Sequence, residues 1–317
     1  MQFISKDDVI RLAPYEPLIQ AIAKGLLEPI ESPSRMVLNP NHDASAVLIM
    51  PAWRPCSILG TKIVSIWPGN NAKNKPAVSA VYIVTSCEDG QTLAVIDGTE
   101  LTLRRTAATA ALGAQLLARP NSQKLAVLGT GALSIPLVMA HLSCFDLSEI
   151  TIWGRSLDKA QAVVDALSPL GISAIATCDL QHTLAHTDIV AAATTATQPF
   201  IRSEWVKPGT HLGLMGAFTP HMAEAEPQLL PKTRLFVDSR EAVLQKGGEV
   251  LQALQQGLIA DVLGELVDLL APLPKMEGRL SDQDITVFKS VGFAALDLIA
   301  GEHILRGLVP TQVDVSS

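Results

Sequence analysis

The sequence predicts an α/β fold built on a doubly wound parallel sheet, joined to a second region of mixed α and β character. Three observations predict it. From residue 124 onward, short apolar runs alternate with stretches of helical spacing, the rhythm of βαβ units. The first such run, KLAVL at 124–128, breaks into glycines and continues with helical apolar spacing. Before it, between 46 and 96, lie four β-rich runs separated by Pro, Gly and Asn.

The elements follow in order. Ser5, with Asp8 three residues on, is an N-cap signal for a short helix, and 16–28 carries helical spacing. AVLIM at 46–50, TKIVSIW at 61–67 and VSAVYIVT at 78–85 read as strands. Glu88-Asp89-Gly90 reads as a hairpin turn into a strand at 92–96, which gives an antiparallel or mixed sheet. LRRTAATAALGAQLL at 103–117 is an Ala-rich helix stopped by Arg119-Pro120-Asn121. Then EITIW, ISAIAT, DIVAAAT, GTHLGLMG and TRLFVDS supply strand candidates, with helices near 131–143, 156–171 and 180–185. The stretch 282–307 reads as helical and ends in a polar tail.

Composition bounds the function. The 317 residues are enough for about two domains. With 48% apolar residues the chain can build a large core. The formal charge of -7, with no basic block, argues against nucleic acid, which requires clustered Lys and Arg. The four cysteines, Cys56, Cys87, Cys144 and Cys178, are scattered, as expected for reduced thiols in a cytosolic protein. His, Cys and acidic residues show no metal-ligand spacing, so no metal is expected. MQFISKDDVIRL meets charge at once and has no apolar signal core. No stretch offers the roughly 18 unbroken apolar residues of a membrane helix.

Gly129-Thr130-Gly131-Ala132-Leu133-Ser134 has the pattern GxGxxS between a strand and a helix. The first glycine permits the tight turn, the second lets backbone approach a pyrophosphate, and a small third residue permits helix–strand packing. The helix N-terminus adds free N–H groups and a positive dipole end. A dinucleotide site is the reading, against an ordinary glycine turn. At the end of the second strand, an NAD-binding chain carries an acid for the ribose hydroxyl. Here EITIW runs into Gly154-Arg155-Ser156, and no acid follows until Asp158. Arg155 and Ser156 suit a 2′-phosphate, which favours NADPH, with NADH as the alternative. The competing reading makes Arg155 a solvated residue at a helix start. Thr194 and Thr195, at the end of DIVAAATT, fall at the carboxyl edge of the sheet and line the expected crevice.

These pieces, with GTK at 60–62, PGN at 68–70, RRTAATAA at 104–111, GTHLGLMGAFTP at 209–220 and FKSVGFAALD at 288–297, resemble the ornithine cyclodeaminase/mu-crystallin family over nearly the whole chain. The resemblance implies a Rossmann-type domain at 116–294, inserted in an α+β substrate-binding and dimerisation domain made of 1–115 plus 295–317. It implies a homodimer and a small amino or imino acid substrate. It places Arg35, Lys62 and Arg105 on that substrate, with Lys62 catalytic. It also brings Val291 and Gly292 to the nicotinamide side of the cofactor.

The chemistry is coherent: a carboxylate suits guanidinium partners, and an inward lysine needs an anion or a proton-transfer task. Exposure statistics alone make Lys62 a solvent-facing strand lysine. Arg104, adjacent to Arg105, reads as a surface arginine, and His221 and His303 as surface positions. His211 reads as structural or near the cofactor.

One departure from the family pattern bears on the reaction. Ornithine cyclodeaminases carry an acid where Phe218 stands here, and a phenyl ring cannot accept a proton. The chain therefore resembles the members that reduce Δ1-pyrroline-2-carboxylate and Δ1-piperideine-2-carboxylate to L-proline and L-pipecolate. Alanine dehydrogenase, ornithine cyclodeaminase and a non-catalytic mu-crystallin-like binding protein are the alternatives.

Overall fold

The computed structural model describes residues 1–41, 45–73, 75–272 and 277–308. The chain divides into two compact units, Met1–Arg105 with Phe293–Ser317, and Thr106–Gly292. The expected cuts at 115/116 and 294/295 differ from these because α3 (Gly98–Leu117) is one continuous helix that contains the first boundary.

The first unit holds β1 (Gln2–Ile4), α1 (Lys6–Leu12), α2 (Tyr15–Gly25), β2 (Met36–Leu38), β3 (Ala46–Arg54), β4 (Ile58–Ile66), β5 (Val78–Ser86) and β6 (Thr92–Asp97). Its sheet runs β1-β6-β5-β4-β3-β2, antiparallel except for the parallel β1–β6 pair. Ser5 and Asp8 form the capping box that starts α1, each side chain accepting a backbone N–H. The long β3 and β4 strands alternate buried and half-buried residues, so one face packs. Met50, Ala52 and Val64 form a core cluster with Ala294 and Leu298 of the C-terminal helix.

The second unit is a doubly wound, wholly parallel sheet. Its strands are β7 (Lys124–Leu128), β8 (Glu149–Trp153), β9 (Ile175–Thr177), β10 (Ile189–Ala192), β11 (His211–Leu214), β12 (Thr233–Val237), β13 (Gly264–Glu265) and β14 (Ile285–Lys289). Their order is β13-β12-β14-β11-β10-β7-β8-β9. The helices are α4 (Ser134–Leu142), α5 (Leu157–Leu167), α6 (Leu180–His186), α7 (Arg240–Lys246), α8 (Gly248–Gln255) and α9 (Leu266–Leu270). The order reverses between β7 and β10, and ligands bind such sheets at the carboxyl ends flanking that reversal. β10 and β11 are buried at every position, as strands covered on both faces must be.

The helix expected over 282–307 is corrected. Residues Ile285–Lys289 form β14, inside the parallel sheet between β11 and β12, and only α10 (Ala294–Arg306) is helical. Three consecutive branched residues, Ile285, Thr286 and Val287, favour a strand there. The expected polar tail after Gly307 falls largely on 309–317, outside the described residues. Among the described residues no helix is long and apolar enough to cross a membrane.

Candidate functional site

In the second unit, a cavity of about 400 Å3 opens at the carboxyl ends of β7, β8 and β10. Gly129, Thr130 and Gly131 line it from the first turn, Trp153 and Arg155 from the second strand, and Thr194 and Thr195 from the loop after β10. Each glycine has its own reason. Gly129 has φ +127°, and a Cβ there would sit 2.7 Å from the Ala193 carbonyl oxygen. At Gly131 an added Cβ meets no protein atom within 4 Å, so it would project into open space beside the turn. Gly154 abuts the Thr130 side chain, where a Cβ would sit 2.7 Å from Cγ2. Ser134 at the third motif place donates its hydroxyl to the Gly129 carbonyl at 2.9 Å, tying helix start to turn. The open cradle at Gly131 and the start of α4, which no side chain caps, together fit a pyrophosphate.

Not every predicted cofactor residue reaches this cavity. Ala132 and Leu133 are outside its lining. Ser156 is also outside it; its hydroxyl caps α5 by accepting the Lys159 N–H. Val291 and Gly292 lie just past the carboxyl end of β14, but their N–H groups donate to Asp238 Oδ2 at 3.2 and 2.8 Å. Trp153 and Phe200 form a wall that the motif reading overlooked. Their rings stack 5.2 Å apart, and the indole N–H donates to the Cys178 carbonyl.

Of the two roles open to His211, structural or near the cofactor, the structure supports the structural one. It is the first residue of β11, in register with Ile189 and Leu125 at the amino ends of the strands, the edge opposite the cavity. Its Nδ1 is 2.9 Å from Thr286 Oγ1, and burial holds its pKa down at about 3, so it packs as a neutral ring.

The first unit holds the second constellation. Lys62 lies in the middle of β4, opposite Met50 on β3 and Tyr82 on β5. It is 1% exposed, which overturns the solvent-facing alternative. Its Nζ is 2.7 Å from Asp297 Oδ2, and Arg105 Nε donates to Asp297 Oδ1 at 2.8 Å. Arg105 is buried and Arg35 is half-buried. Burial lowers the Lys62 pKa to about 8; Asp297 opposes the shift, while Arg105 and Arg35 reinforce it. Burial pushes Asp297 upward, but Arg105 and Lys62 overcome it and hold the carboxyl below its usual range. Lys62 and Arg105 thus share the Asp297 carboxylate, Arg35 is close enough to act on Lys62, and guanidinium groups so placed suit an anionic ligand.

Asp297 was missed as a site residue. The signal was present: it is the lone charge in the apolar run AALDLIAG, an arrangement that demands a partner. Arg104 is corrected from surface arginine to clamp. Its Nε donates to the Ala13 carbonyl at 2.8 Å, and its guanidinium lies 4.4 Å from the centre of the Tyr15 ring. His303 is half-buried rather than a surface residue, whereas His221 is exposed.

The sequence profile described as the ornithine cyclodeaminase/mu-crystallin family matches residues 9–307. A Δ1-pyrroline-2-carboxylate reductase of Paracoccus denitrificans is 34% identical over 308 residues, covering 96% of each chain. Among solved structures, the Thermococcus litoralis Δ1-pyrroline-2-carboxylate reductase in complex with NADH and L-proline superposes with a TM-score of 0.91 at 26% identity, covering 97% of each chain. An archaeal alanine dehydrogenase dimer with bound NAD gives a TM-score of 0.88 at 28% identity, covering 97% of this chain and 95% of that one.

Proposed function

We propose that this chain, which belongs to the ornithine cyclodeaminase/mu-crystallin family, is a nicotinamide-dinucleotide-dependent reductase of cyclic imino acids. It reduces Δ1-pyrroline-2-carboxylate to L-proline and Δ1-piperideine-2-carboxylate to L-pipecolate. The observation that carries this reading is the buried Lys62–Asp297–Arg105 group with Arg35 beside it. Supporting it are the cavity behind the glycine turn and the likeness to reductases of this name.

A nicotinamide dinucleotide held in that cavity would supply hydride for the imine carbon. The protein does the rest. Arg105 and Arg35 hold the substrate carboxylate by charge-assisted hydrogen bonds. Lys62, protonated below about pH 8, gives a proton to the ring nitrogen, so the C=N bond becomes CH–NH. Asp297 orients Lys62 and Arg105 through one oxygen each and balances part of their charge. In the second unit, the Gly129–Gly131 turn would hold the pyrophosphate and Arg155 the adenosine 2′-phosphate. Phe218, exposed in the loop after β11, replaces the acid a cyclodeaminase needs. Replacing Phe218 by Asp and following ammonia release from ornithine tests that point; an unchanged substrate range counts against it. A homodimer belongs to the same proposal, supported by exposed apolar residues on the edge strands, Phe3 on β1 and Met36 and Val37 on β2.

The test is loss of NADPH absorbance with both ring sizes, with pyruvate plus ammonia, and with ornithine. Turnover of the cyclic imines supports the proposal. Turnover confined to pyruvate plus ammonia would replace it with amino acid dehydrogenation, the reading favoured by the likeness to alanine dehydrogenase.

Two variants examine the cofactor side. Arg155→Ala is expected to weaken NADPH binding about tenfold, the worth of a charged hydrogen bond, while the NADH Kd stays put. Equal losses for both dinucleotides would remove Arg155 from the 2′-phosphate. Gly131→Ala is expected to change folding stability by no more than about 0.5 kcal/mol, since its Cβ meets no protein atom. It should nevertheless weaken dinucleotide binding, because that Cβ occupies the pyrophosphate cradle. Titrating folded protein with NADPH decides this one.

A further inference from the structure

We infer that Glu224 is a positioning residue for the dinucleotide, locking together the loops that follow β10 and β11 and with them the cavity wall. The inference rests on the assignment of that cavity to the cofactor. Glu224 is fully buried and does not itself line the cavity. One carboxylate oxygen accepts the Thr194 N–H at 2.7 Å and the Thr194 hydroxyl at 2.9 Å. The other accepts the Gly216 N–H at 2.7 Å. Its backbone carbonyl accepts the N–H groups of Phe200 and Ile201 at 3.0 and 2.9 Å. Glu224 thereby holds Thr194 on one side of the cavity and Phe200, which stacks on Trp153, on the other.

The contacts distinguish a carboxylate from an amide. The backbone N–H groups of Thr194 and Gly216 are pure donors, one on each oxygen, so a carboxylate satisfies both, and an amide would turn a hydrogen toward one of them. Holding a carboxylate in a buried site requires a compensating cation. Burial pushes the Glu224 carboxyl above its usual range and Glu249 adds to that, while Lys289, fully buried at the carboxyl end of β14 and 3.1 Å from the Glu249 carboxylate, and the Thr194 and Gly216 N–H groups draw it back toward the ionised form. Gly216 completes the lock. A Cβ there would run into the Thr194 backbone and Glu224 Oε1, so only glycine lets the two loops meet. The catalytic scheme uses none of Glu224, Lys289 and Glu249.

Glu224→Gln keeps the side-chain size and loses the charge. Its NADPH Kd by calorimetry, and its KM for dinucleotide and for cyclic imine separately, test the inference. The Kd and the dinucleotide KM are expected to rise about tenfold, as for a lost charge-assisted contact, with the imine KM and saturated kcat unchanged. An unchanged Kd overturns the inference, as does a fall in kcat with every KM unchanged, the mark of lost folded protein. If Glu224→Gln does not fold, Glu224→Asp keeps the charge on a side chain one methylene short of reaching both loops. A wild-type Kd in that variant overturns the inference equally. Wild-type protein that binds no dinucleotide would instead overturn the cofactor assignment itself.

Discussion

Lys62→Met is expected to lower kcat/KM for a cyclic imino acid about 10²–10⁴-fold, the contribution of a positioned proton donor. The NADPH Kd should not move. Methionine fills the volume of the lysine stem on β4, so the packing opposite Met50 and Tyr82 is kept and the ammonium alone is lost. The pH dependence follows from the sign of the shift. Burial brings the Lys62 pKa down to about 8, so the proton donor is present below that pH and lost as the pH rises through it. Wild-type kcat/KM should therefore fall on the alkaline side with a midpoint near 8, and the residual rate of Lys62→Met should lack that limb. A variant within about threefold of wild type, well short of a general acid's contribution, would remove Lys62 from the chemistry.

Asp297→Asn carries the largest expected effect on stability, a loss of about 3–5 kcal/mol by urea unfolding, as for a buried ion pair broken on one side. The amide keeps the shape of the side chain, but Lys62 and Arg105, both buried, lose the carboxylate that neutralises them. The same carboxylate raises the Lys62 pKa against burial, so its removal should also shift the alkaline limb to lower pH. A midpoint in urea equal to that of wild type would mean that the two cations do not depend on Asp297.

The second unit was legible from the sequence in most of its elements because its physics is local. Buried parallel strands read as apolar runs, and the glycine turn has its own spacing. β14 was misread because ITVFK stands five residues ahead of an apolar helix, and the two apolar patterns run together. In the Lys62–Asp297–Arg105 group, the family pattern singled out the two cations and not the carboxylate between them. Arg105 and Asp297 are 192 positions apart, and no local rule pairs them. Arg104 was misjudged for the same reason, since the carbonyl that fixes it lies 91 residues earlier. Glu224 gave no sign in AFTPHMAEAEP, where it is one of two glutamates in an ordinary loop composition.

Hydride transfer to a cyclic imino acid is the central proposal. The direct measurement uses NADPH carrying deuterium at the transferable position of its nicotinamide C4, incubated with Δ1-pyrroline-2-carboxylate, with the product analysed by mass spectrometry and NMR. L-proline bearing deuterium on its α-carbon, formed by wild type and about 10²–10⁴-fold more slowly by Lys62→Met, is the predicted result. Protein that binds NADPH yet transfers no deuterium to either ring size would contradict it.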